Sequence, residues 1–270
     1  MKIDVAGVLI DNVSKQEAID TIDKFVRSGN PHLVITPYSE LIVFAQNDSD
    51  YRNILNQADL SLPDGIGVIW AAKYLSLKSH NIFTALFQVI YTGAAIIFKP
   101  DYIRSVITQQ ISGNEFVFDI AELAQEKKYS IVMVGGQSKV AAQASYELKK
   151  IFPDLKINLA LSGRPFDEKI IREISDSNSD ILLIAYSPPK QEFWLAQNLK
   201  NLNAKVAVGL GGTFDYLAKI HPSPPSFLRQ IGLQWLWRLF TQPWRLKRMW
   251  NAVPVFVWKV YKYKVNNQNG

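Results

Sequence analysis

Five short polar clusters and one basic segment hold the residues able to do chemistry in this 270-residue chain. The clusters are Thr36-Pro37-Tyr38, Pro63-Asp64-Gly65, Gly135-Gly136-Gln137-Ser138, Ser187-Pro188-Pro189-Lys190-Gln191 and Gly211-Gly212-Thr213-Phe214-Asp215. Asp64, between a proline and a glycine, has two readings: a helix cap, or a general base beside a sugar hydroxyl. Gly135-Gly136 either lets backbone N–H groups approach a phosphate or serves a tight turn. No GxGxxG or Walker pattern accompanies it. The three histidines, at 32, 80 and 221, form no metal pair or triad. The basic segment carries Arg229, Arg238, Arg245, Lys247 and Arg248 among Leu, Phe and Trp. Arg238, Arg245 and Arg248 have spacings that can share a helical face, although Pro243 interrupts it.

The elements that must position these clusters read as alternating apolar runs and helical patterns, an α/β signature with a mostly parallel sheet. Strands are expected over 3–10, 32–36, 58–62, 130–134, 156–160, 180–185 and 205–210. Helices are expected after Ser14, whose spacing to Glu17 fits a capping box, and over 39–46, 50–57, 66–75, 115–128, from after Ser138 through Lys150, and over 190–201. Each polar cluster then follows a strand, where open α/β sheets bind ligands. A breaker-rich stretch, His221-Pro222-Ser223-Pro224-Pro225, divides a body (1–220) from a C-terminal appendage (221–270).

Charge sharpens that division. From Tyr216 onward there are nine Lys or Arg and no Asp or Glu, so residues 1–215 carry 21 − 24 = −3 of the net +6. Five of the seven Trp also lie in the appendage, which favours an anionic membrane surface over nucleic acid as its partner. The absence of cysteine excludes thiol catalysis and Cys-ligated metals. The N-terminus, with one Lys and an early Asp, lacks the pattern of a signal peptide, and a cytoplasmic protein is expected. Within an apolar insert at about 76–109, Asn81 to Phe98 is an uncharged run of 18 residues. It is compatible with an interfacial or re-entrant element, a buried helix or a short span.

The motifs VITPYSE (34–40), ADLSLPDGIGV (58–68), IVMVGG (131–136), YSPPKQEFW (186–194), GLGGTFDYLA (209–218) and LQWLWRLFTQPWRLKRMW (233–250) resemble the WecG/TagA/CpsF glycosyltransferases, family 26. The resemblance runs in order over almost the whole chain, apart from the insert. It implies a Rossmann-like (GT-E-like) sheet with helices on both faces and a basic, Trp-rich helical appendage. It implies an inverting enzyme, independent of metal and cofactor. Its substrates would be a UDP-sugar of N-acetylmannosamine type and a polyprenyl-diphosphate-linked acceptor, used in cell-surface polysaccharide synthesis. Asp64 matches the proposed general base. Thr36, Tyr38, Gly65, Gly135, Gly136, Lys190, Gln191 and Asp215 fall in the substrate-binding motifs, and Arg238, Arg245 and Arg248 on the arginines that complete the site from the appendage.

Three positions depart from the family pattern: Tyr38 stands for Asn, Gln110 for Arg, and Ser223 near an expected Arg. These changes keep two alternatives open, a UDP-glucose or UDP-uronic acid donor and a catalytically silent membrane scaffold. The expected location is the inner face of the plasma membrane, held peripherally through 226–264 and in one reading also 81–98, without nucleic acid. A homo-oligomer is left open.

Overall fold

The computed structural model describes residues 1–163, 168–220 and 246–267, with the single positions 225, 228, 237 and 241. The run expected as one strand over 3–10 is a hairpin, in which β1 (Lys2–Val5) and β2 (Val8–Asp11) pair antiparallel. Ala6 and Gly7 turn the chain with φ of 54° and 91°, the left-handed values a two-residue hairpin turn needs. Ala-Gly lacks the Asn or Asp that usually marks such a turn, so the two strands read as one.

Six parallel strands follow: β3 (His32–Ile35), β4 (Leu60–Ser61), β5 (Ser130–Gly135), β6 (Lys156–Leu161), β7 (Ile181–Ala185) and β8 (Val206–Gly209). Their order is β4-β3-β8-β7-β5-β6. The central strands β5, β7 and β8 are buried along their whole length, which is why they read as continuous apolar runs. Alternate residues serve opposite faces. Ile131, Met133, Ile181 and Leu183 pack with α1 (Lys15–Ser28), α7 (Gly113–Lys127), α8 (Val140–Ile151) and α11 (Thr213–Leu217). Val132, Val134, Leu182 and Ile184 pack with α2 (Ser39–Ala45), α3 (Ser49–Asn56), α4 (Ile66–Ser76), α9 (Glu168–Ser177) and α10 (Lys190–Asn198). The chain is therefore a Rossmann-like α/β fold with helices on both faces of the sheet. The capping box of α1 is present, with Glu17 N donating to Ser14 Oγ and Ser14 N to Glu17 Oε2. Helices α9 and α11 were not expected: α11 is five residues, too short for a period, whereas in α9 the four-residue spacing of Ile170 and Ile174 is a signal that sequence reasoning missed.

The hairpin guards the β4 edge. Asp11, at the end of β2, is buried and accepts the outward Ser61 N–H at 2.9 Å, satisfying a group that would otherwise recruit another strand.

The last described helices are α12 (Leu246–Trp250) and α13 (Phe256–Asn267), joined by a π-turn at Asn251–Val255. Pro254 sits in that turn, where the wider winding accommodates a residue with no N–H to give. Phe256, Val260 and Lys264, four apart, face inward from α13. Phe256 and Val260 join the same apolar layer as α2 and α4. Lys264 donates to the Tyr74 carbonyl at 2.5 Å and to Gln88 Oε1 at 2.7 Å, so one cation of the basic tail is spent inside the fold.

The uncharged run forms α5 (Ile82–Phe98), followed by the single turn α6 (Pro100–Ile103). It is not a buried helix. Ala85, Thr92 and Ala95 face the body, and Thr92 Oγ1 accepts from Trp70 Nε1 at 2.8 Å. Phe83, Phe87, Ile90 and Phe98 lie on the outer side, 67–79% exposed. No described helix is long and apolar enough to cross a membrane.

Gly135 closes β5 at φ 132°, and a Cβ there would lie 2.7 Å from the Ala185 carbonyl carbon and 2.9 Å from its nitrogen. Gly135→Ala must push β5 from β7 and is expected to cost about 2–4 kcal/mol, read by thermal or urea unfolding. An unchanged melting midpoint would refute this close approach.

Candidate functional site

The strand ends β4, β3 and β8 bring their clusters to one place. Asp64 follows β4 and is half-buried. It does not cap α4, whose N-cap is Gly65 with no side-chain bond. Instead its Oδ2 accepts a long hydrogen bond, 3.4 Å, from Gly113 N at the start of α7. The N-terminus of a 15-residue helix thus faces the carboxylate. Asp64 N donates to the Pro37 carbonyl at 3.0 Å, which ties the β3 and β4 loops together. Thr36 donates to the Gly209 carbonyl at 3.0 Å, linking β3 to β8. A Cβ on Gly113 would lie 3.5 Å from both Thr36 Oγ1 and Thr213 Oγ1, so these hydroxyls flank the helix start. Thr213 Oγ1 in turn donates to the Leu210 carbonyl at 2.7 Å and lies 3.0 Å from Asn114 Oδ1.

Gln191 clamps the next two strand ends. Its Oε1 accepts from Tyr186 N at 3.2 Å, after β7, and from Gly211 N at 2.9 Å, after β8. A Cβ on Gly209 would collide with its side chain, so that glycine makes the room it occupies. The residue is buried and its oxygen is already shared by two backbone donors; the motif position positions loops. Its Nε2 donates to Glu192 Oε1 at 2.8 Å, and Tyr51 donates to Glu192 Oε2 at 3.1 Å. Glu192 is 1% exposed, and burial pushes its carboxyl up to about 7 against those two donors.

A second group lies close by. Arg248, from α12, donates through Nε and a terminal nitrogen to Glu40 Oε2 at 3.1 and 2.9 Å, and to the Tyr38 hydroxyl at 2.9 Å. Tyr38 donates to the same carboxylate at 3.3 Å. Burial raises the Tyr38 hydroxyl well above its ordinary range, with Arg248 opposing. Burial also opposes the Arg248 charge, and Tyr38 and Glu40 outweigh it. Of the three appendage arginines singled out by sequence, Arg248 reaches the body; Arg238 and Arg245 lie outside the described residues.

The remaining candidates sit apart from Asp64. Gly136 donates its N–H to the Ala185 carbonyl at 3.1 Å, so that group holds the turn. Beyond it, Gly136, Gln137, Ser138, Lys139, Ser162 and Gly163 line a cavity of about 520 Å³ at the ends of β5 and β6, by the N-terminus of α8. Lys190 is exposed at the first position of α10, after the cis Pro188-Pro189 bond. Asp215 is half-buried in the first turn of α11, which packs on α8. No group of three His, Asp or Glu suited to a metal occurs among the described residues.

Sequence reasoning missed Glu40, Tyr51, Gly113, Asn114 and Glu192. The helix expected over 115–128 starts two residues late, and the Ser112-x-x-Glu115 spacing could have moved its start back to Gly113, although the Ser112 side chain forms no cap bond.

Two outcomes test this geometry. Arg248→Gln leaves Glu40 buried beside one hydroxyl, and should cost about 1–3 kcal/mol that Glu40→Gln/Arg248→Gln partly restores; additive losses in denaturant titration would refute the pairing. Between 4.5, its ordinary value, and about 7, folded Glu192 holds a proton that the unfolded chain has released. Its contribution is full below pH 4.5 and is lost as pH rises through about 7. Glu192→Gln should therefore gain on the wild type between pH 5 and 8, by up to about 3 kcal/mol. A pH-independent difference between the two melting curves would refute this.

The glycosyl transferase WecG/TagA/CpsF family matches residues 3–94 and 80–270, two stretches that overlap over 80–94 and run through the 76–109 segment expected to lie outside the family pattern. An N-acetylglucosaminyldiphosphoundecaprenol N-acetyl-beta-D-mannosaminyltransferase of Bacillus spizizenii is 28% identical over 232 residues, covering 86% of this chain and 79% of its own. Enzymes of the same name from two Staphylococcus aureus strains are 23% and 22% identical over 272 residues, covering 97% of this chain and 93% of theirs. The chain belongs to the WecG/TagA/CpsF glycosyltransferase family.

Proposed function

We propose that this chain transfers an N-acetylmannosamine-type sugar from a UDP-sugar to a polyprenyl-diphosphate-linked sugar, with inversion and without a metal ion. The observation that carries the reading is Asp64 at the junction of the β4 end and the α7 N-terminus, flanked by Thr36 and Thr213. In this mechanism Asp64 accepts the proton of the acceptor hydroxyl as its oxygen attacks the anomeric carbon. The bond from that carbon to the UDP oxygen breaks in the same displacement, which inverts the centre. The electron pair leaves on the diphosphate, where helix N-termini and cationic side chains stabilise it. The cavity at β5 and β6, beside Lys139, is suited to the nucleotide end of the donor.

The Staphylococcus and Bacillus relatives are named for an undecaprenol-linked acceptor, a membrane lipid. A body carrying 1–220 and an appendage carrying 221–270 then work together at the inner membrane surface. The outer face of α5 and the exposed Leu246, Trp250 and Trp258 supply apolar and aromatic contact with the bilayer.

Asp64→Asn should lower kcat by roughly 10²- to 10⁴-fold while UDP binding persists. Full turnover by that variant with every UDP-sugar the wild type uses would sink the proposal. A donor panel on a short-chain polyprenyl acceptor reads the sugar directly, and EDTA should leave the rate unchanged.

A further inference from the structure

Opposite the strand ends, a cleft of about 290 Å³ opens between the β1–β2 turn, α3 and α13. Arg52, Lys259 and Lys262 line it together with Trp258 and Tyr263. Gly7 leaves room for it, since a Cβ there would meet Arg52 Cδ at 3.2 Å and the Tyr263 ring at 3.9 Å. Among the described residues no carboxylate forms an ion pair with any of the three cations. The nearby Asp4 accepts from Gly7 N at 2.7 Å and from the Tyr263 hydroxyl at 2.9 Å. Lys259 donates to Asn47 Oδ1, and Lys262 lies 5.3 Å from the centre of the Trp258 ring.

The helical winding of α13, about 100° per residue, fixes where this cleft faces. Phe256, Val260 and Lys264 point inward. Tyr261, on one flank, donates to the Ile82 carbonyl of α5 at 3.4 Å. Lys259 and Tyr263 fall on the opposite flank, and Trp258 and Lys262 on the outward face between them. The apolar outer side of α5, the exposed Trp258 and the three cations therefore succeed one another across α13. An uncharged apolar helix, then an aromatic ring, then unpaired cations is the order in which acyl chains, the interface and phosphates meet a protein lying on a bilayer.

We propose that the cleft of Arg52, Lys259 and Lys262 binds the phosphate of an anionic phospholipid headgroup. The site is separate from the acceptor site at Asp64 and rests on the membrane reading above. It orients the body so that α5 lies on the bilayer.

Flotation of the full chain with phosphatidylcholine vesicles, and with vesicles doped with phosphatidylglycerol, tests this. The wild type should prefer the doped vesicles. Arg52→Gln/Lys262→Gln should weaken that binding roughly 30-fold, from the attraction of two cations near a charged surface, and leave binding to the neutral vesicles unchanged. Lys262→Gln alone, at an exposed position, gives a smaller loss without risk to the fold. Lys149→Gln/Lys156→Gln, on exposed positions of α8 and the far edge strand, should have little effect. Equal binding of the Arg52 and Lys262 variants, or an equal loss in the Lys149 and Lys156 variant, overturns the site. Release from doped vesicles by dilute inorganic phosphate makes it a free-anion site and overturns the lipid assignment. Failure of the wild type to bind either vesicle sinks the membrane reading as well, whereas binding that ignores Arg52 and Lys262 sinks this proposal alone.

Discussion

One buried side chain governs the geometry of the strand ends. Gln191 can hold the loops after β7 and β8 together because Gly209 has no side chain and because two backbone N–H groups point at one amide oxygen. The same loops carry Gly211 to Thr213, and Thr36 reaches the adjoining Gly209 carbonyl from β3. Asp64 is placed at one remove, through the Pro37 carbonyl and the α7 start. A polar clamp of this kind is directional, whereas the apolar layers on either side of the sheet are not.

The clamp is expensive in charge. Glu192 is buried next to it, and Tyr51 and Gln191 donate to the carboxylate without a cation in direct contact. Glu40, a few residues from Tyr38, is the carboxylate that does receive one, from Arg248. The two acids lie near enough for each to act on the tyrosines between them. Arg248 therefore offsets the charge of Glu40 in this buried cluster. Tyr38 also gains a physical role, since an asparagine could not span the same distance to both partners.

The strands were legible because a parallel sheet covered on both faces leaves its sequence uniformly apolar, as in Ile181–Ala185. The clusters after them were legible for the same reason, as the first polar residues after each run. The Ala6-Gly7 turn was not, because backbone conformation there is imposed by pairing and carries no strong residue signal. Asp64 was visible as a residue, but its true helix partner is α7, some 49 positions away, not the adjacent α4. Glu40, Tyr51 and Glu192 were invisible because their role comes from three separated helices meeting. No local spacing encodes that meeting.

The placement of α13 has a consequence for biosynthesis. Lys264 bonds to a carbonyl 190 positions earlier, and Phe256 and Val260 finish a layer begun by α2 and α4. A ribosome making this chain releases the strands and both sides of the future groove long before the segment that fills it. The nascent chain must wait with the apolar layer of α2 and α4 uncovered on the side that Phe256 and Val260 later fill, which makes closure a late, non-local step.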